Sequence, residues 1–316
     1  MSTPLHFQHT INARPERVFD ALTQREALET WFAEHADVAL EEGRYDFWGC
    51  HTPETPSRER GRHAIILFEP NRRLQYVWQL RGSDTTVDFR LTQKDSKTIV
   101  GLWHENIPSV PQGQPGCYSL GDIWWLWLEN LRRYTEGRSV VRSDFSVDMR
   151  GDLVKSIDID GSPEDVWRAL TDPDLRNQWI AAGVTDDIAV GEDWIDWGDE
   201  HGGLKVLEIH PGQSFSMAWE IENTPTVVTW TVEGTGSRTR LTLAHSGFAP
   251  DRQSDGEWGG WITYLSMIKS VVEYGREWLP PIQEIASGAA AYYAVSVWER
   301  QEELMENEDA AWTAAR

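Results

Sequence analysis

The chain states one phrase twice. Residues 15–31 read Pro-Glu-Arg-Val-Phe-Asp-Ala-Leu-Thr, seven further residues and Trp31. Residues 163–179 read Pro-Glu-Asp-Val-Trp-Arg-Ala-Leu-Thr, seven further residues and Trp179. The offset, 163 − 15 = 148, holds at Pro, Glu, Val, Ala, Leu, Thr and Trp. Solenoid repeats recur at about 20–50 residues, so a spacing of this size marks a duplicated domain. A length of 316 residues agrees with two domains. The expected division is 1–140 for the first, 150–280 for the second and 281–316 for an extension.

The net charge of −22 is unevenly divided. Residues 1–150 hold 18 Lys and Arg against 21 Asp and Glu, net −3; residues 151–316 hold 11 against 30, net −19. Such a surface repels phosphate backbones, which argues against nucleic acid as a partner. No run of about 18 apolar residues exists to span a membrane. The first residues show no basic region followed by an apolar one, so no signal peptide is expected. Cys50 and Cys117 are too few for a disulfide framework, and a cytoplasmic location is the expectation.

Each copy opens with helix-entry chemistry. Ser162 precedes Pro163 with Asp165 three places on, and Asp172-Pro173 starts a second short helix in the same way. Arg14-Pro15 lacks an obvious side-chain cap. Strand-like alternation follows at Leu74, Tyr76, Trp78 and Leu80, and again at Phe215, Met217, Trp219 and Ile221. Here the offset becomes 141, and it continues through Val87/Val228, Phe89/Trp230, Leu102/Leu243 and His104/His245. Helical spacing of Trp124, Leu128, Leu131 and Tyr134 matches Trp261, Leu265, Ile268 and Val271. Gly137 and Gly275 lie where these helices should stop. After Pro280-Pro281 the composition turns Ala-rich and then Glu-rich, which predicts one long helix over 282–316 with Tyr292, Trp298 and Leu304 among its apolar positions.

This α+β order of strand, two short helices, antiparallel strands and long final helix resembles the helix-grip fold of START-like (SRPBCC) proteins. The wording resembles the branch named after the C-terminal domain of the Hsp90 ATPase activator, with its Pro-x-x-Val-[Trp/Phe]-x-Ala-Leu-Thr run followed by Trp. Those residues are Pro15, Val18, Phe19, Ala21, Leu22, Thr23 and Trp31, and Pro163, Val166, Trp167, Ala169, Leu170, Thr171 and Trp179. Gly43 and Gly191 match the family's glycine before the third strand. The family's His-Ser-Gly-Phe stands at 245–248, whereas the first copy has His104-Glu105-Asn106-Ile107. The resemblance implies two tandem domains, each a curved antiparallel sheet wrapped around its last helix, plus a C-terminal helical tail. Across that superfamily it implies binding of hydrophobic molecules, cyclisation of polyketides or action on chaperones.

Eighteen tryptophans in 316 residues invite a ring-lined hollow. The expected lining is Trp78, Phe89, Leu102, His104, Trp124 and Trp127 in the first copy. In the second it is Trp219, Trp230, Leu243, His245, Trp261 and Tyr264. The same rings could equally fill a core. His104 and His245 are the polar candidates, placed by alternation toward the cavity mouth, where imidazole could hold a carbonyl or exchange a proton. The alternative for each is a hydrogen-bonded core histidine. Asp193, Asp196, Asp199, Glu200 and His201 cluster, but in neither EF-hand nor zinc spacing. No phosphate-cradling glycine loop or nucleophile elbow is present, so no metal and no cofactor are expected. The leading reading is a non-catalytic protein that binds a small hydrophobic or aromatic ligand. A chaperone-associated surface and a cyclase- or dehydratase-type enzyme using His104 or His245 are the alternatives.

Overall fold

The proline-led entries fold as their sequence asks. In the computed structural model, which describes residues 4–111, 114, 116–180, 184–196 and 202–284, both repeats begin with strand, helix and helix at the 148-residue offset. The first has β1 (Leu5–Ile11), α1 (Pro15–Thr23) and α2 (Arg25–Trp31), followed by β2 (His35–Ala39), β3 (Arg44–Trp48), β4 (Arg62–His63) and β5 (Ile65–Glu69). Then come β6 (Arg73–Leu80), β7 (Ser83–Lys94), β8 (Lys97–Glu105) and α3 (Leu120–Thr135). The second has β9 (Leu153–Ile159), α4 (Pro163–Thr171), α5 (Pro173–Trp179), β10 (Asp193–Asp196) and β11 (Gly203–His210). It continues with β12 (Ser214–Ile221), β13 (Thr224–Thr235), β14 (Arg238–Ser246) and α6 (Asp255–Tyr274), after which β15 (Ile282–Glu284) closes the described chain.

Among the described residues, one compact unit comprises 4–150, 251–266 and 280–284, and the other comprises 151–250 and 267–279. The first holds a six-stranded antiparallel sheet in the order β15-β1-β8-β7-β6-β5 and a small sheet β2-β3-β4; the second holds a sheet β10-β11-β12-β13-β14-β9. The expectation of a helix throughout 282–316 is corrected at its start. Ile282–Glu284 is a strand, with Gln8 opposite Ile282, Phe7 opposite Gln283 and His6 opposite Glu284. The open edge of β1 offers unpaired backbone donors and acceptors, and a short strand satisfies them. The remainder of that predicted helix lies outside the described residues, as do Asp199, Glu200 and His201.

Hairpin chemistry sets the register of the sheet centre. The β6–β7 loop has Arg81 and Gly82 at φ 53° and 71°, and the β12–β13 loop has Glu222 and Asn223 at 51° and 61°. Two consecutive left-handed residues make the type I′ turn that matches strand twist. These turns fix Trp78 opposite Thr85 and Trp219 opposite Thr226. The first copy's departure at Asn106 keeps the shape of Gly247, since both adopt positive φ, 62° and 100°. Gly43, at φ 72°, ends the single turn before β3 as the resemblance expects.

Trp31 and Trp179 tie the two short helices of their units together. Each indole N–H donates back to the first helix, Trp31 Nε1 to the Ala21 carbonyl at 2.8 Å and Trp179 Nε1 to the Ala169 carbonyl at 2.9 Å. Tyr45 Oη and Trp194 Nε1 cap the adjacent carbonyls of Leu22 and Leu170 at 2.8 and 2.9 Å. A ring with one polar edge thus closes the end of α1 and of α4 while burying its apolar body.

Candidate functional site

In the first unit, α3 lays Trp124 and Trp127 against the inner face of the sheet. Trp78, Leu102, His104 and Trp124 are wholly buried, and Phe89 and Trp127 nearly so. All six predicted lining residues therefore come together. Phe32 from the end of α2 and Phe47 from β3, which the sequence reading missed, join them. Phe32 meets Phe47 and Trp127 at centroid distances of 4.9 Å, Phe47 meets Trp78 at 5.1 Å, and Phe89 meets Trp124 at 5.7 Å. Mostly edge-to-face geometry lets the positive ring edges meet negative faces.

His104 does not stand at a cavity mouth. It is fully buried, with Trp124 Nε1 donating to its Nδ1 at 2.7 Å and its Nε2 paired with Thr85 Oγ1, also at 2.7 Å. Thr85 Oγ1 donates onward to the Trp78 carbonyl at 2.7 Å. Because Nδ1 accepts from an indole, which can only donate, the imidazole is the neutral Nε2–H tautomer. The relay runs Trp124 to His104 to Thr85 to the backbone of β6, and it uses both ring nitrogens. Burial, reinforced by the positive charge of Arg81, pushes the His104 pKa down to about 3. A proton-transfer role would require breaking one of these bonds.

The second unit repeats the core of this arrangement. His245 Nε2 pairs with Thr226 Oγ1 at 2.8 Å, and Thr226 Oγ1 donates to the Trp219 carbonyl at 2.7 Å. His245 and Trp219 stack at 5.5 Å, as His104 and Trp78 do at 6.2 Å. His245, Trp230 and Leu243 are buried, whereas Trp219 is half-buried. Trp261 and Tyr264, expected across from this sheet, belong to the segment 251–266 that groups with the first unit; their rings meet at 5.8 Å. The threonine was legible: Trp78 and Trp219 are each followed by Thr seven residues later, at the same offset as the histidines.

A second polar feature escaped the sequence. His63, on the two-residue strand β4, stacks on Phe47 at 3.8 Å and meets Trp78 edge-on at 5.8 Å. The backbone of Phe47 and of Val77 interacts with the His63 ring, whereas Trp78 Nε1 has no acceptor. Burial pushes the His63 pKa down to about 3. The cluster therefore contains an unsatisfied indole donor beside a buried neutral imidazole.

Other candidates carry less. Cys50 Sγ lies 3.5 Å from His51 Nδ1, but that nitrogen is held by the Ser143 carbonyl at 2.6 Å. Burial and the Glu34 carboxylate push the Cys50 thiol up to about 11, the wrong direction for a nucleophile. Among the described residues no group of three or more His, Cys, Asp or Glu could hold a metal ion. No helix among them is long and apolar enough to cross a membrane.

The family model described as "Activator of Hsp90 ATPase homolog 1-like protein" matches residues 12–136 and 160–273. The chain belongs to that family. Both matches fall on the repeats, so the Hsp90-activator-homologue-like unit occurs here twice. Among solved structures, protein MLL2253 from Mesorhizobium loti is 29% identical, covering 39% of this chain and 98% of its own, with a TM-score of 0.33. The Aha1 dimer from Colwellia psychrerythraea is 22% identical, covering 40% and 98%, with a TM-score of 0.34. DynU16, from the dynemicin biosynthetic locus, is 18% identical over 86% of this chain and 100% of its own, with a TM-score of 0.31. Among curated proteins, none matches.

Proposed function

We propose that the first unit is a non-catalytic binding domain for a small, mostly apolar ligand, seated among Trp78, Phe89, Leu102, His104, Trp124 and Trp127. One observation carries this reading: Trp78 Nε1–H is buried in the ring cluster without an acceptor. An unmet buried polar group costs about 1–3 kcal/mol, and a ligand with one polar edge would recover it. The saturated, neutral His104 supports binding rather than acid–base chemistry. In the second unit, Trp219, Trp230, Leu243 and His245 form the counterpart.

The test is calorimetry of the full chain against a panel of small aromatic and aliphatic molecules, each with and without a polar group. Trp78→Phe retains the ring and removes the N–H, so it should weaken the polar members about tenfold while sparing the apolar ones. Uniformly flat titrations remove the idea.

A second reading rests on family membership: the chain acts on an Hsp90-type chaperone through its surface. The ATPase rate of a bacterial-type Hsp90 should then change when the full chain is added. An unchanged turnover at saturating chain removes this reading and leaves the first.

A further inference from the structure

The two sheets have kept their inner faces alike and let their outer faces diverge. Strands β6, β7 and β8 span the same residues as β12, β13 and β14 shifted by 141. Inward, Trp78, Thr85 and His104 recur as Trp219, Thr226 and His245. Outward, Arg73, Asp88, Arg90 and Trp103 stand where the second copy has Ser214, Thr229, Thr231 and Ala244. Fold alone does not ask for the charged set, since the second copy forms the same strands without it.

These residues are organised. Asp88, only 4% exposed, accepts from Arg73 Nε and Nη2 at 2.9 and 2.7 Å and from Arg90 Nε and Nη2 at 3.1 and 2.9 Å. The Arg90 guanidinium lies over the Trp103 ring at 4.3 Å, and Trp103 is stacked against His6 at 4.3 Å. An open cleft of about 90 Å³ covers Arg73, Gln75, Thr86, Asp88, Arg90, Trp103 and Glu105. Two guanidinium forks are thus locked by one buried carboxylate, and neither Nη1 has a partner among the described residues. Around these two cations stand the buried Asp88, Glu69, whose charge acts on Arg73, and the exposed Glu105 at the rim, so what the cleft offers an anion is the directed guanidinium N–H groups rather than net charge.

We propose that this cleft on the outer face of the first sheet binds a single small carboxylate group, with Arg73 and Arg90 as its charged donors. The forks present planar paired N–H groups of the kind that suits a carboxylate. Asp88 and the Trp103 face hold them in place before any ligand arrives, so little side-chain entropy remains to be lost. The Gln75 amide and the Thr86 hydroxyl offer neutral donors beside them. Glu105 at the rim and Asp88 beneath oppose a dianion more than a monoanion, which favours carboxylate over phosphate. The site is separate from the ring cluster of the inner face and stands whether or not that cluster binds a ligand.

The test uses the full chain, with backbone amide NMR shifts followed as sodium acetate is added against sodium chloride at matched ionic strength. Acetate should give saturable shifts at Thr86, Arg90 and Trp103, while chloride gives a drift that does not saturate. Inorganic phosphate should bind more weakly than acetate. Arg90→Gln should weaken acetate about tenfold or more. Glu105→Gln, at an exposed position, should tighten it about twofold to fivefold. That gain keeps the test decisive if Arg90→Gln fails to fold. Acetate indistinguishable from chloride, phosphate equal to or tighter than acetate, or affinities unmoved by Glu105→Gln would each overturn the proposal.

Discussion

Trp124 Nε1 donates to His104 Nδ1 at 2.7 Å, joining α3 to the centre of the first unit's sheet through a buried neutral imidazole. Thr85 takes the other ring nitrogen, so the three side chains act as one strut. His104→Phe should destabilise the first unit by about 2–4 kcal/mol, because it strands an indole N–H in a dry interior and removes the donor to Thr85 Oγ1. Thr85→Val should cost about 1–2 kcal/mol. The double variant should cost less than the sum, since each single change already breaks the same relay. Urea unfolding of the three variants checks this; strict additivity would show that the contacts are independent.

Acid should loosen this unit before its carboxylates protonate. His104 and His63 are each held at about 3 by burial, and His9 is pushed down in the same sense by burial and by Arg132. Unfolded histidine titrates near 6.5, so the unfolded chain binds more protons throughout the window between about 6.5 and 3. The stabilisation is therefore complete above about pH 6.5 and is lost as pH falls, at roughly 1.4 kcal/mol per pH unit for each imidazole. The urea midpoint should drop between pH 7 and pH 5, and His63→Phe should flatten that dependence. A midpoint that does not move over this range contradicts the assignment.

What the chain reveals in advance follows from what repeats. The paired phrases at 15–31 and 163–179 fixed strand, helix, helix in both units because proline, caps and apolar spacing act locally. The ring cluster was legible through period-two alternation on β6, β7 and β8 and helical spacing on α3. His104 takes the inner face that alternation assigns it but lies buried rather than at a cavity mouth, since alternation reports which face a side chain takes but not what meets it there. Thr85 was overlooked because a threonine in a strand is ordinarily unremarked, although its recurrence at Thr226 was visible. His63 and Phe47 could not be found: β4 has two residues, too few for any period, and the contact between His63 and Phe47 depends on how an irregular stretch returns to the sheet. The strand Ile282–Glu284 was misread because local composition carries no signal of a distant open edge.

The two copies differ in how their first helices are capped, which offers a controlled comparison within one chain. Ser162 Oγ accepts the Asp165 amide, whereas Arg14 at the matching place makes no side-chain cap. Ser162→Ala should cost about 1 kcal/mol. Arg14→Ser, ahead of the same Pro-Glu start, should stabilise the first unit by about 0.5–1 kcal/mol. Thermal unfolding of the two variants, followed in each unit by amide exchange, reads both effects; a loss of stability in Arg14→Ser would show that the arginine contributes through something other than its backbone.

Arg176 is a buried cation of the second unit. It is 1% exposed, and its guanidinium donates to the Trp194 carbonyl at 2.6 Å through Nη1 and to the Asp186 carbonyl through Nη2. It therefore anchors the segment leading into β10 onto α5 through two backbone acceptors. Burial pushes its pKa down to about 10, which still leaves it charged at neutral pH. Arg176→Met keeps much of the apolar stem but strands both carbonyls, so a loss of about 2–4 kcal/mol is expected. Arg176→Lys retains the charge without the planar fork, and a single ammonium cannot reproduce the two separated donors. It should recover less than half of the loss. Urea unfolding of the two variants settles the point, and a lysine variant as stable as the parent would show that charge alone, not the fork, holds this segment.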